Sequence, residues 1–170
     1  MKRWLLQAML MAWTAGAQAF TGIVTHVTDG DTVWVGPAHQ RGGAQAVKVR
    51  LRGIDAPEIC QAWGPQAKAA LESRVLHRRV QVHVSATDTY ERKVGTLKLD
   101  GEDVAAWMVA EGHAWNDGYR RRKEGYAALE QQAMKAGRGL FADRDAMPPR
   151  RFRQQHGSCA MPATVPGLMR

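Results

Sequence analysis

The chain has 170 residues, 45% of them hydrophobic and 24% charged, which suits one domain with a real core and excludes a disordered chain. Lys and Arg number 24 against 16 Asp and Glu, a net charge of +8, and such a balance favours polyanionic partners without naming one.

Residues 1–19 stand apart. Lys2 and Arg3 precede a mostly apolar run from Trp4 to Ala15, and Ala17-Gln18-Ala19 is a small-x-small cleavage pattern. We read a secretory signal peptide removed near Ala19, for a protein exported to the periplasm or the medium. The alternative is a short N-terminal membrane anchor, for which the run is too short to span a bilayer comfortably. Residues 20–119 carry 11 basic and 12 acidic side chains, net −1, while residues 120–170 carry 11 and 4, net +7. The basicity therefore belongs to the C-terminal third. Export also bears on Cys60 and Cys159, because two thiols in an oxidising compartment permit one disulfide. Sequence alone leaves open whether they pair or remain two free thiols. The six histidines form no HExxH or close pair, and there is no CxxC, which argues against a zinc site.

In chain order, Thr21 to Val35 reads as a hairpin turning at Asp29-Gly30-Asp31. Gly36 to Ala46, with Pro37, Gly42 and Gly43, is a loop by composition. Val47, Val49 and Leu51 alternate with Lys48, Arg50 and Arg52 as a half-buried strand, which ends at Gly53 before the turn Asp55-Ala56-Pro57-Glu58. Gly64-Pro65 opens a helix with Ala67, Leu71 and Val75 on one face. Val80, Val82 and Val84 form another strand, and Arg92 to Leu99 a further one closed by Asp100-Gly101. Val104, Trp107 and Met108 mark a short helix stopped by Gly112. Tyr126, Leu129, Ala133 and Ala136 mark a last one stopped by Gly137. Beyond Asp143 periodicity fades around Pro148-Pro149 and a basic cluster, so an extended or loosely docked tail is expected. These elements fit a small β-barrel with helices packed outside.

Charged residues gather at turns and strand ends: Asp29-Gly30-Asp31-Thr32, Arg50, Asp55-Ala56-Pro57-Glu58 and Asp88-Thr89-Tyr90-Glu91-Arg92. Singly, each is ordinary: a hairpin turn, a solvated strand face, a turn before a helix. In series they resemble the staphylococcal nuclease family. VTDGDTVWV, VRLRGIDAPE, TDTYERKVGTL and the later Tyr126, Leu129-Glu130 and Gly139-Leu140-Phe141 follow the family's order from about Thr21 to Phe141.

The resemblance implies an α+β fold, a five-stranded OB-fold barrel with three helices. It implies a domain at residues 20–142 followed by a basic tail at 143–170, and calcium-dependent hydrolysis of DNA or RNA phosphodiesters. Carried over by position, Asp31 and Asp55 would be carboxylate ligands of Ca²⁺ and Ala56 a carbonyl ligand, where the family usually has Thr. Asp29 would be an acidic residue near the metal. Glu58 would be the general base, Arg50 and Arg92 would grip the phosphate, and Tyr90 and Tyr119 would line the nucleotide pocket. A hard cation taking oxygen ligands and two guanidinium forks facing an anionic transition state suit this chemistry. Replacing Glu58, Arg50 or Arg92 is then expected to remove turnover while the fold survives. The Arg120–Lys123 and Arg150–Arg153 clusters are expected to strengthen phosphate binding. No protein partner is expected for what reads as a monomer. The competing function is an OB-fold protein that binds nucleic acid without cutting it.

Overall fold

Alternating valines decide which faces of the strands turn inward. The computed structural model describes residues 18–37, 45–117 and 125–159. In chain order its elements are β1 (Gln18–Val27), β2 (Thr32–Pro37), β3 (Val47–Leu51), β4 (Ile54–Asp55), α1 (Gly64–Val75), β5 (Arg79–Thr87) and β6 (Lys93–Leu99). There follow β7 (Glu102–Asp103), α2 (Val104–Ala110), β8 (Trp115–Asn116), α3 (Ala127–Lys135), a 3₁₀ turn (Gly139–Ala142) and α4 (Pro149–His156).

The main sheet runs β3-β2-β1-β5-β6-β7, and a parallel pairing of β3 with β6 closes β1, β2, β3, β5 and β6 into a barrel. Val24, Val27, Val33, Val35, Val49, Leu51, Val80, Val82 and Leu97 fill its interior at 1% exposure or less, each burial worth roughly 1.5–3 kcal/mol. Pairing shifts at Val24/His26 and Val84/Ala86 insert an extra residue into β1 and β5, which bends these strands and increases their twist. The OB-fold expectation therefore holds, as do the α1 face of Ala67, Leu71 and Val75, all fully buried, and the helices at 104 and 127. Asp103 caps α2 by accepting from the Ala105 and Ala106 amides. Its other carboxylate oxygen accepts the Tyr126 hydroxyl at 2.8 Å, which ties the start of α3 to α2. The resulting burial, and then the acceptor itself, raise the Tyr126 phenol pKa well above its ordinary value.

One expectation fails. In place of an extended tail, residues 149–156 form α4, a fourth helix beyond the three expected. Pro149 sits at its first position, where a missing N–H costs nothing. Two bonds to the same short segment hold it. Gln61 donates its Nε2 hydrogen to the Met147 carbonyl at 2.6 Å on the near side of the helix, and Cys60 forms a disulfide with Cys159 just past its end, with Cα atoms 5.8 Å apart. The pairing that sequence left open is made. Because the bond spans 99 residues, Cys159→Ser is expected to lower the unfolding free energy by about 4 kcal/mol, chiefly by freeing the denatured chain. Urea denaturation of the oxidised proteins measures it; equal midpoints would show that the bond constrains nothing that matters to stability.

Candidate active site

The turn before β2, the end of β3 and the segment from β4 to α1 meet at one end of the barrel, and two glycines let them meet closely. A Cβ on Gly30 would lie 2.7 Å from the Ala56 Cβ and 2.9 Å from the Ala67 Cβ, so the Asp29–Asp31 turn presses directly onto the residue after β4 and onto α1. A Cβ on Gly64 would lie 1.9 Å from the Glu58 carbonyl oxygen. Only glycine allows the chain after Glu58 to fold back so tightly on the start of α1.

Asp31, at 3% exposure, is held on every side. Its amide donates to Asp29 Oδ1 at 3.0 Å, in the local bond that makes Asp a turn former. Its Oδ1 accepts from the Thr32 hydroxyl and from Arg50 Nη1 at 2.8 Å, and its Oδ2 accepts from the Ala56 amide at 3.1 Å. Arg50 reaches it because β2 and β3 pair with Thr32 opposite Arg50. The second arm of the same guanidinium, Nη2, donates to Asp55 Oδ1 at 3.0 Å. Arg50 thus bridges the two aspartates. Glu58 follows on the turn after Asp55, its amide donating to Gln61 Oε1 at 3.2 Å.

The opposite face of this constellation is supplied by α4. Arg153 donates from Nη2 to Asp55 Oδ2 at 2.9 Å, and from Nη1 to Asp55 Oδ1 at 3.2 Å and Glu58 Oε1 at 2.8 Å. Asp117 stands near enough that, after its own partial burial, the charge of Asp55 raises its carboxyl pKa, with Arg50 and Arg153 opposing. The Asp31 carboxyl is pushed up by burial, against the pull of Arg50, and Asp29 pushes it further. Burial likewise opposes the Arg50 charge, but Asp31 and Asp55 outweigh it. Asp29, Asp31, Asp55, Glu58 and Asp117 therefore face Arg50 and Arg153, an excess of negative charge in a partly dehydrated place.

A donor set of oxygens with surplus negative charge fits a hard divalent cation. Among the described residues no three Asp, Glu, His or Cys side chains converge on one point. Such a cation would take the Asp31 and Asp55 carboxylates with the Ala56 carbonyl, and water for its other positions.

Of the residues singled out in the sequence, Asp29, Asp31, Arg50, Asp55, Ala56 and Glu58 come together. Arg92 does not join them through its side chain. Its Nε donates to Asp88 Oδ2 at 2.7 Å and its guanidinium lies 5.3 Å over the Tyr90 ring. The bonds from Arg92 also hold the Asp88 carboxyl below its usual range, although partial burial acts against them. The parallel pairing of Val49 with Lys93 nonetheless brings the start of β6 alongside β3. Tyr90 is 78% exposed, while Tyr119 and Arg120–Lys123 lie outside the described residues. Arg153 and Asp117 were not singled out for the site. For Arg153 a signal existed: if Cys159 pairs with Cys60, two residues after Glu58, the basic segment just before Cys159 is brought near the site. Asp117 carries no such signal.

Fold and constellation define an α+β OB-type barrel with an acid–arginine site at one end. A protein-family model for staphylococcal nuclease homologues matches residues 48–143. The chain is similar to the protein ParB of Escherichia coli, 36% identical over 88% of each chain. It is also similar to an uncharacterized endonuclease of Haemophilus influenzae, 29% identical over 89% of this chain and 85% of that one. A probable staphylococcal-like nuclease of Oryza sativa subsp. japonica is 40% identical over 58% of this chain and 30% of its own length. The chain belongs to the staphylococcal nuclease family, and nuclease is its enzyme class.

Proposed function

We propose that this chain is an exported, calcium-dependent nuclease in which Asp31, Asp55 and Ala56 hold the cation, Arg50 and Arg92 bind the phosphate, and Glu58 serves as the base. The observation that carries this reading is the Arg50 bridge between Asp31 and Asp55, with Glu58 on the following turn. When bound, calcium supplies positive charge that offsets the charge growing on the phosphate and acidifies a bound water.

The protein's own groups do the rest. A guanidinium carries five N–H donors, and the two aspartates engage one from each of the Arg50 Nη atoms. Others remain for two phosphate oxygens, whose charge rises as water adds to phosphorus. Glu58 takes the proton of that water as its oxygen bonds to phosphorus and the bond to the leaving oxygen breaks. Arg92 would exchange Asp88 for phosphate, and Tyr90, exposed beneath it, offers a ring for a base. The nuclease domain is taken as residues 20–142 with residues 1–19 removed. The Cys60–Cys159 disulfide supports export, since such bonds persist in oxidising compartments.

The purified chain is expected to degrade DNA or RNA in calcium and to stop when EGTA is added in excess. Gel analysis of linear and circular substrates reads the result; tight binding without cleavage would overturn the enzyme reading in favour of an OB-fold binder.

A further inference from the structure

Arg153 lies 98 residues from Asp55 and 95 from Glu58 in sequence, yet its guanidinium spans both oxygens of the first and reaches one of the second. Its place is set by the segment that carries Glu58 itself. Cys60 grips the chain three residues beyond α4, and Gln61 grips it two residues before, so the helix is clamped at both ends to the turn after Glu58. Arg150 and Arg151 on the same helix are exposed. Arg153 turns inward onto Asp55 and Glu58, with 33% of its side chain still open to solvent.

We propose that Arg153 is a further arginine of the active site, which binds a phosphate oxygen of the nucleic-acid substrate and is held in position by the Cys60–Cys159 disulfide. This rests on the nuclease reading. A guanidinium shared by Asp55 and Glu58 offsets the repulsion between these two carboxylates. With Asp55 engaged by calcium, the Arg153 guanidinium would have donors to spare for a phosphate oxygen, which its planar fork matches better than an ammonium does. Arg92, by contrast, is paired with Asp88 and not with the acids of the site. The clamps hold the backbone of α4 and leave the Arg153 side chain free to change partner. The inward turn of Arg153 also alters the expectation for the basic C-terminal cluster: the long-range attraction falls to its neighbours, and Arg153 acts by direct contact.

The test uses the oxidised full chain with Arg153→Ala, Arg153→Lys, Cys159→Ser and the Arg153→Ala/Cys159→Ser double variant, each checked for folding by circular dichroism. Cleavage of an oligothymidylate and binding of its hydrolysis-resistant phosphorothioate analogue are measured in saturating calcium. Calcium binding is titrated calorimetrically without substrate. Arg153→Ala should raise both the KM and the phosphorothioate Kd about tenfold, as loss of a charge-assisted hydrogen bond does, with a smaller change in kcat. It should also tighten calcium binding, since Asp55 no longer has a competitor. Arg153→Lys should recover part of the affinity. Cys159→Ser should shift the Kd in the same direction as Arg153→Ala, and the double variant should be no worse than Arg153→Ala alone.

Unchanged KM, Kd and calcium affinity in Arg153→Ala would overturn the proposal. So would a higher kcat/KM, which would make α4 an inhibitory cap, and additive losses in the double variant would break the link to the disulfide. If the wild-type chain does not cut in calcium, the nuclease reading fails by itself. The phosphorothioate Kd of Arg153→Ala still decides whether Arg153 contacts phosphate.

Discussion

Glu58→Gln is expected to lower kcat on DNA in saturating calcium by about 10²–10⁴-fold, the usual worth of a positioned general base. The amide keeps the shape of the side chain and an oxygen for Arg153 but cannot accept the proton of the attacking water. KM should change little, because the substituted group meets the water and not the sugar or base. Stability should move by less than about 1 kcal/mol: the pair it weakens, Glu58 with Arg153 at 2.8 Å, has side chains 23% and 33% exposed, and ion pairs open to solvent are worth little. Initial rates over a range of substrate concentrations, together with a urea melt, separate the two effects. A loss in kcat below tenfold would leave Glu58 as a group that only orients water.

Arg50→Ala should produce two separate losses. Turnover should fall about 10²–10³-fold, since the guanidinium that would meet the developing phosphate charge is gone. The fold should also suffer, which the sequence did not suggest. The Asp31 side chain is 5% exposed and Arg50 donates to it at 2.8 Å. Removing one partner of such a buried pair leaves an uncompensated charge, at a cost of about 3–5 kcal/mol. Asp55 keeps Arg153; among the described residues Asp31 keeps only Thr32 and the Ala56 amide as donors to its carboxylate. Urea midpoints in EGTA measure the destabilisation. Calcium is expected to restore part of it by supplying charge at the two aspartates, and to restore none of the turnover. If calcium gives no recovery in midpoint, Asp31 and Asp55 do not hold the cation.

The barrel was legible because its information is local. Val47, Val49 and Leu51 alternate within one strand, as do Val80 and Val82 in another, and α1 shows its buried face in Ala67, Leu71 and Val75, each step being a property of residues a few positions apart. The acids and Arg50 were legible for a related reason: they sit on turns and strand ends whose order along the chain matches a known pattern. α4 was not legible. PRRFRQQH offers one large apolar side chain, Phe152, among mostly charged and polar residues, so little in its own composition calls for a helix that docks. What holds it is supplied from elsewhere in the chain, by Gln61, Cys60, Asp55 and Glu58. The partner of Arg92 shows the same limit. Its position beside β3 follows from the parallel pairing of Val49 with Lys93, but whether its guanidinium faces Asp88 or the acids is a choice between neighbours in space.

By itself the sequence determined the five long strands of the barrel and the three helices with apolar faces, because periodicity and turn chemistry act over a few residues. The acids and arginine were picked out by their order along the chain, which resembles that of a known family. Tertiary structure alone decided that β3 closes on β6, that Cys60 and Cys159 meet, and that Arg153 lies against Asp55 and Glu58. Those contacts join residues about forty to a hundred positions apart. Whether such distant groups meet depends on how the whole barrel closes, which no local pattern carries.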